Sequence, residues 1–168
     1  MRNRLTCLIV VSYLFVAISS PAQQADPAAD TPTAMCTFDD EKQMSVQYGL
    51  AKSSDKLPNG KVWTPGGKPM FLFTQADLVL ANTAIPVGAY SMFVIPGKNN
   101  WTLIVNRNVD PSRKYDEKQD LVRAPMDIGQ LGQEEKLFTV VFGHLGPKMC
   151  TMRFYFGKTG AFTEFNEK

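Results

Sequence analysis

The chain has 168 residues, with 18 Lys+Arg against 16 Asp+Glu and a formal net charge of +2 at pH 7. That length suits one domain able to bury a core of its own. A near-neutral, evenly mixed composition gives no electrostatic reason to expect nucleic acid or an anionic membrane as partner.

Arg2 and Arg4 precede an uncharged apolar run over residues 5–18, which ends in Ser19, Ser20, Pro21 and Ala22. A positive start, a short apolar run and small residues at its end form the pattern of a cleavable secretory signal. The run is 14 residues long, whereas a spanning helix needs roughly 20. Cleavage is expected after Ala22, with Ser19 as the rival position. The expected location is therefore exported, periplasmic or extracellular, with no stable membrane anchor after cleavage. Cys7 comes too early in the leader to be a lipid-attachment cysteine. Removing residues 1–22 leaves 146 residues with 16 basic and 16 acidic side chains, a formally neutral chain. Two cysteines remain, Cys36 and Cys150. Lone pairs of cysteines in an oxidising compartment usually join, and a bridge closing so long a loop contributes about 4–5 kcal/mol on the chain-entropy account. Two separately buried thiols are the alternative.

Residues 23–34 are rich in Ala, Pro, Gln, Asp and Thr, with little to bury, and read as a disordered spacer. The domain is expected to span residues 35–168. Met44, Val46 and Tyr48 alternate with Gln43, Ser45 and Gln47, the signature of a strand with one buried face. Residues 70–74 and 77–81 are short apolar runs. Residues 89–95 are apolar on both parities except Ser91, which predicts a central strand covered on both sides. Trp101, Leu103 and Val105 alternate with Thr102 and Asn106, and Trp101 is expected in the core. Residues 110–123 are densely charged and lack strand alternation. Asp110 as cap and Pro111 at the first position predict a short surface helix near residues 111–118. Residues 129–135 read as a polar connection and residues 137–142 as another run. Cys150, Met152, Phe154 and Phe156 alternate cleanly with Thr151, Arg153 and Tyr155, and residues 161–165 close the chain. Asn59-Gly60, Pro65-Gly66-Gly67, Pro86-Val87-Gly88, Pro96-Gly97 and Gly146-Pro147 supply the turns between these runs. The pattern predicts an all-β antiparallel domain, a two-layer sandwich with a barrel-like alternative.

The block Ile85-Pro86-Val87-Gly88-Ala89-Tyr90-Ser91-Met92-Phe93-Val94-Ile95-Pro96-Gly97, followed by Trp101-Thr102-Leu103-Ile104-Val105-Asn106, resembles the centre of a bacterial family catalogued as domain of unknown function 2911. Gly60-Lys61-Val62-Trp63 resembles that family's approach to its second strand, and Tyr115-Asp116 with Asp120 resembles its charged insert. The resemblance runs from about Cys36 to Phe165 and implies an exported β-sandwich-like domain. It implies no activity and assigns no catalytic residues. Where many members continue from the Lys-Val-Trp segment into an Arg and a Gly-Ala-Asn run, this chain reads Thr64-Pro65-Gly66-Gly67-Lys68.

Among candidate functional residues, Trp63 and the nearby Lys61 precede the Pro-Gly-Gly turn, expected at a sheet end. A Trp there can stack on a sugar ring or fill a partner's pocket; packing in a sandwich accounts for it equally. His144 is the sole histidine and could serve as a general base, though no nucleophile can be assigned to it. An ordinary turn histidine is the competing reading. Tyr115, Asp116, Glu117 and Asp120 could line a polar cleft, with paired carboxylates as acid and base in glycoside chemistry, or could simply face solvent on a charged helix. The group Asp39, Asp40 and Glu41 lacks the ligand spacing of a calcium loop, and one histidine argues against zinc. No metal or cofactor is expected, and no phosphate loop, nucleophile elbow or dinucleotide fingerprint is present. Two functions follow as expectations. One is a non-catalytic binding or structural module contacting a glycan or an envelope protein through loops near Trp63. The other is a small extracytoplasmic hydrolase using His144 or the carboxylates of residues 115–120.

Overall fold

Among the described residues, alternating apolar side chains and closely spaced turns give nine strands and almost nothing else. They are β1 (Thr33–Thr37), β2 (Gln43–Gln47), β3 (Met70–Thr74), β4 (Leu78–Leu80), β5 (Thr83–Ile85), β6 (Gly88–Ile95), β7 (Asn100–Asn106), β8 (Asp120–Gly146) and β9 (Met149–Glu167). This computed structural model describes residues 31–110, 112 and 114–168. The leader and most of the spacer expected from the sequence lie outside the described residues. All pairings are antiparallel, in a single open sheet of order β1-β2-β3-β6-β7-β8-β9-β4-β5. The all-β antiparallel expectation holds, with the core enclosed by one sheet folded over on itself and no closed barrel. Among the described residues, no helix is long and apolar enough to cross a membrane.

The folding-over follows from one covalent bond. Cys36 on β1 and Cys150 on β9 form a disulfide with a Cα–Cα distance of 6.4 Å. Six strand-to-strand steps separate β1 from β9 in the sheet order. At about 4.8 Å per step, a flat sheet would hold them roughly 29 Å apart. The sheet must therefore curl until its β1 edge meets the β8–β9 hairpin. The seam is closed by further contacts. Asp39 N donates to Pro147 O at 3.1 Å, Lys42 pairs with the buried Glu167 carboxylate at 3.0 Å, and Lys42 also pairs with Asp40. The hydrogen bond from Lys42 is the main reason the Asp40 carboxyl lies below its ordinary value.

The β8–β9 hairpin is the most distorted element. Between Asp127↔Phe162 and His144↔Cys150, β8 advances 17 residues while β9 advances 12, and the register shifts fall between Gln130 and Thr139. Extra residues in one strand bend a pair, and here β8 takes the longer path around the bend. Gly157 supplies a positive φ of 59° opposite the bulge. The core face of β9 changes parity there, from Cys150, Met152, Phe154 and Phe156 to Ala161 and Phe165. The ends of β9 return to one another, with Glu167 N donating to Lys148 O at 2.8 Å.

Two expected elements differ. Residues 129–135 are not a connection but the bulged middle of β8. Of the short helix expected near residues 111–118, Pro111 and Arg113 lie outside the described residues, and the described part holds a 3₁₀ turn at Glu117–Gln119, capped by the Asp116 side chain, which accepts from Lys118 N. The reason is a competing set of side-chain bonds, described below, that pins the segment to the sheet. Asp110 binds Ser112 N and Oγ in a local turn instead of starting a helix. The first strand also opens at Thr33, two residues before the expected start at Met35.

Trp101, Phe138, Phe154 and Phe165 are fully buried and fill the interior with Met44, Met70, Met92 and several leucines. Trp63 joins them. Its backbone pairs with Val94 in both directions, at 2.7 and 3.1 Å. Its ring lies edge-on to Trp101, Phe138 and Phe156, with centroids 5.1–6.2 Å away. Such edge-to-face pairs add stability beyond the area they bury.

If the bridge holds the curl, replacing Cys36 and Cys150 together by Ala should lower unfolding stability by about 3–5 kcal/mol. Denaturant titration of the oxidised and doubly substituted proteins checks this, and two reactive thiols in the unfolded, unreduced mature protein would contradict the pairing.

Candidate functional site

The residues singled out in the sequence do not converge. They lie in three separate places, each with its own hydrogen-bonding partners. Trp63 is half-buried within the aromatic cluster just described, and Lys61 is exposed on the loop before it. His144, near the tip of β8, is exposed, and its Nε2 lies 3.4 Å from Asp39 Oδ1 across the seam. The fold thus gives His144 a carboxylate neighbour, but that contact belongs to the closure between β1 and β8.

Tyr115, Asp116 and Asp120 form the third group. The Tyr115 hydroxyl donates to Asp120 Oδ2 at 2.7 Å, and Arg123 Nε donates to the same oxygen at 2.8 Å. Arg123 also donates from Nη2 to the Tyr115 oxygen at 2.5 Å. The buried Asn106 amide donates to Asp120 Oδ1 and to the Asp116 carbonyl, at 2.7 and 2.9 Å. The Tyr115 ring rests edge-on against buried Phe93, centroids 4.9 Å apart. Both Asp120 oxygens are therefore occupied. Burial first, and then the bond to Asp120, push the Tyr115 phenol up to about 12. Asp120 chiefly drives the upward shift of Arg123. The arrangement clips the charged insert onto the outer face of β6–β8, which is why that segment does not wind into a helix. Among the described residues, no group of three or more His, Cys, Asp or Glu could hold a metal ion.

A different surface is incomplete. On the outward side of the β8–β9 hairpin, an open cleft of about 310 Å³ is lined by Leu131, Leu145, Thr151, Arg153, Tyr155 and Phe162, with Gln130 and Glu164 at its polar margin. The bend builds it, because side chains from both arms of β9 face the same space. Gly160 lies close beneath two lining side chains: a Cβ there would stand 3.1 Å from Leu131 Cδ2 and 3.5 Å from Tyr155 Cδ1, tight against the first and in ordinary contact with the second. Leu145 is 54% exposed and Phe162 41% exposed, so the cleft carries apolar surface in contact with water. Thr151 is 2% exposed, and its Oγ1 is buried without a hydrogen-bond partner. A buried hydroxyl left unpaired costs about 1–3 kcal/mol. Neither Arg153 nor Glu164 has an ion-pair partner among the described residues.

Sequence reasoning missed this cleft. Its one visible signal is that Tyr155 and Phe162 occupy outward positions of their strands. Nothing local brings those two positions to one space; the parity change at Gly157 does.

For the Tyr115 clip, the raised phenol makes a signed prediction. A group whose folded pKa exceeds its ordinary value of 10.0 contributes stability below pH 10, and that contribution declines as pH rises towards about 12. Ultraviolet titration should show a phenol ionising near 12 that disappears in Tyr115→Phe. A Tyr115 phenol ionising near 10 would contradict the clip.

No curated protein and no solved structure matches this chain. A family model described as a protein of unknown function (DUF2911) matches residues 32–164, from just before β1 to near the end of β9. The match covers both the clipped insert and the bent hairpin, and the chain belongs to that family.

Proposed function

We propose that the mature chain is an exported, non-catalytic binding module and that it binds through the cleft on the outward side of β8–β9. One observation carries the reading: the cleft sets the exposed apolar surface of Leu145 and Phe162 beside Arg153 and Glu164, neither of which has an ion-pair partner among the described residues. Pockets with an apolar lining and a few fixed polar groups are the usual form of a binding site. The other polar groups considered are engaged. Asp120 is saturated by Tyr115, Arg123 and Asn106, and Trp63 is held in the aromatic cluster. A glycan fragment or a segment of an envelope protein could enter the cleft from its open side. The export signal and the disulfide support an extracytoplasmic setting.

The hydrolase reading draws support from the 3.4 Å approach of His144 to Asp39. Acid–base catalysis also needs a reacting group within hydrogen-bond reach, and none is assigned beside this pair. The binding reading is therefore preferred.

The test is a titration of the labelled mature protein with short oligosaccharides, tripeptides and small amphiphiles, followed by backbone amide shifts. Shifts centred on Gln130, Thr151, Tyr155 and Phe162, lost in Leu145→Glu, are expected. Shifts centred instead on the Trp63 loop or on His144 and Asp39, or none at the cleft across the whole panel, would contradict the reading.

A further inference from the structure

The chemistry of the cleft narrows its ligand. Thr151, Arg153 and Tyr155 follow one another on one face of β9, and Gly160, Phe162 and Glu164 line the cleft from the other side of the bend. Alternate residues on a strand stand roughly 7 Å apart, so Arg153 and the unpaired Thr151 hydroxyl lie within the span of one small molecule. The volume of about 310 Å³, at about 30 Å³ for each water-sized group, admits roughly ten non-hydrogen atoms.

Charge decides among molecules of that size. A simple carboxylate could pair with Arg153 but would share the cleft with the Glu164 carboxylate. A simple amine could pair with Glu164 but would meet Arg153. A molecule carrying both charges satisfies both, and its apolar remainder can occupy the space between Leu131, Leu145 and Phe162. We infer that the cleft binds a small apolar α-amino acid, a zwitterion of the size of leucine or phenylalanine. Its carboxylate faces Arg153 and its ammonium faces Glu164. This rests on the cleft being the binding surface, and it adds the ligand class.

The experiment compares three probes on the oxidised mature protein by calorimetry and amide shifts: L-phenylalanine, octanoate and octylamine. Phenylalanine should bind at the cleft at millimolar concentration or below, with the two singly charged probes at least about tenfold weaker, the usual size of one lost charged contact. Arg153→Gln and Glu164→Gln should each weaken phenylalanine by about tenfold or more without changing the unfolding midpoint. A dipeptide with phenylalanine at its amino end keeps the ammonium but has a peptide carbonyl in place of the adjacent carboxylate, so it should bind at least about tenfold more weakly than the free amino acid, and binding equal to the free amino acid would overturn the zwitterion assignment. If octanoate or octylamine shifts the cleft resonances as strongly as phenylalanine, the zwitterion assignment is overturned while the cleft remains the binding surface. If none of the three probes reaches the cleft, the zwitterion assignment is overturned, and the wider panel described above then decides the cleft itself.

Discussion

The Cys36–Cys150 bridge joins two strands that the hydrogen-bond order of the sheet places six steps apart. Everything else about the shape depends on that closure. A sheet of nine strands left open would expose its apolar face. Curled, it encloses Trp101, Phe138, Phe154 and Phe165 in one core. The seam contacts then make local sense. Lys42 reaches the nearly buried Glu167 carboxylate, and Asp39 meets both the Pro147 carbonyl and His144. A partly buried ion pair of this kind is easily broken at a cost when one partner is removed, so the disulfide and the pair hold the same edge in different ways.

The bend in β8–β9 is the second consequence. For the hairpin to meet the β1 edge at its tip and β4 at its far end, it must turn sharply, and the surplus residues of β8 permit the turn. The inner side of that hairpin contributes to the core. The outer side acquires a cleft with the side chains of Leu131 and Tyr155 close above Gly160. The contrast with the Tyr115 clip is instructive. Both are polar features on the outside of the sheet, and both contain buried hydrogen-bonding groups. In the clip every principal group has a partner, so it acts as structure. In the cleft the charges of Arg153 and Glu164 have no ion-pair partner among the described residues and apolar surface is left in water, so it is suited to receive something.

Much of the strand pattern was legible in the sequence because burial on one face imposes a period of two. The alternation over Cys150, Met152, Phe154 and Phe156 follows from it, and the two-sided burial of residues 90–94 was legible from the loss of that period. The pairing of Cys36 with Cys150 was legible from number and compartment, not from geometry. The helix expected after Asp110 was not realised, because local capping signals contribute little beside the bonds joining Tyr115, Asp120, Arg123 and Asn106 across 17 residues of sequence. The cleft was illegible for a related reason. Its lining comes from β8 and both arms of β9, and only the position of the bend, set by long-range register, makes neighbours of Thr151 and Phe162.

The central claim is that the Thr151 hydroxyl beneath the cleft is buried without a partner in the fold. Replacement by valine keeps the shape and removes only the hydroxyl. Equilibrium unfolding of Thr151→Val, measured beside the parent protein without ligand, tests the claim most directly. The variant should be as stable as the parent or more stable by about 1 kcal/mol, since an unpaired buried hydroxyl is removed. A loss of stability of about 1 kcal/mol or more would mean that the hydroxyl already has a partner within the fold, and would contradict the account.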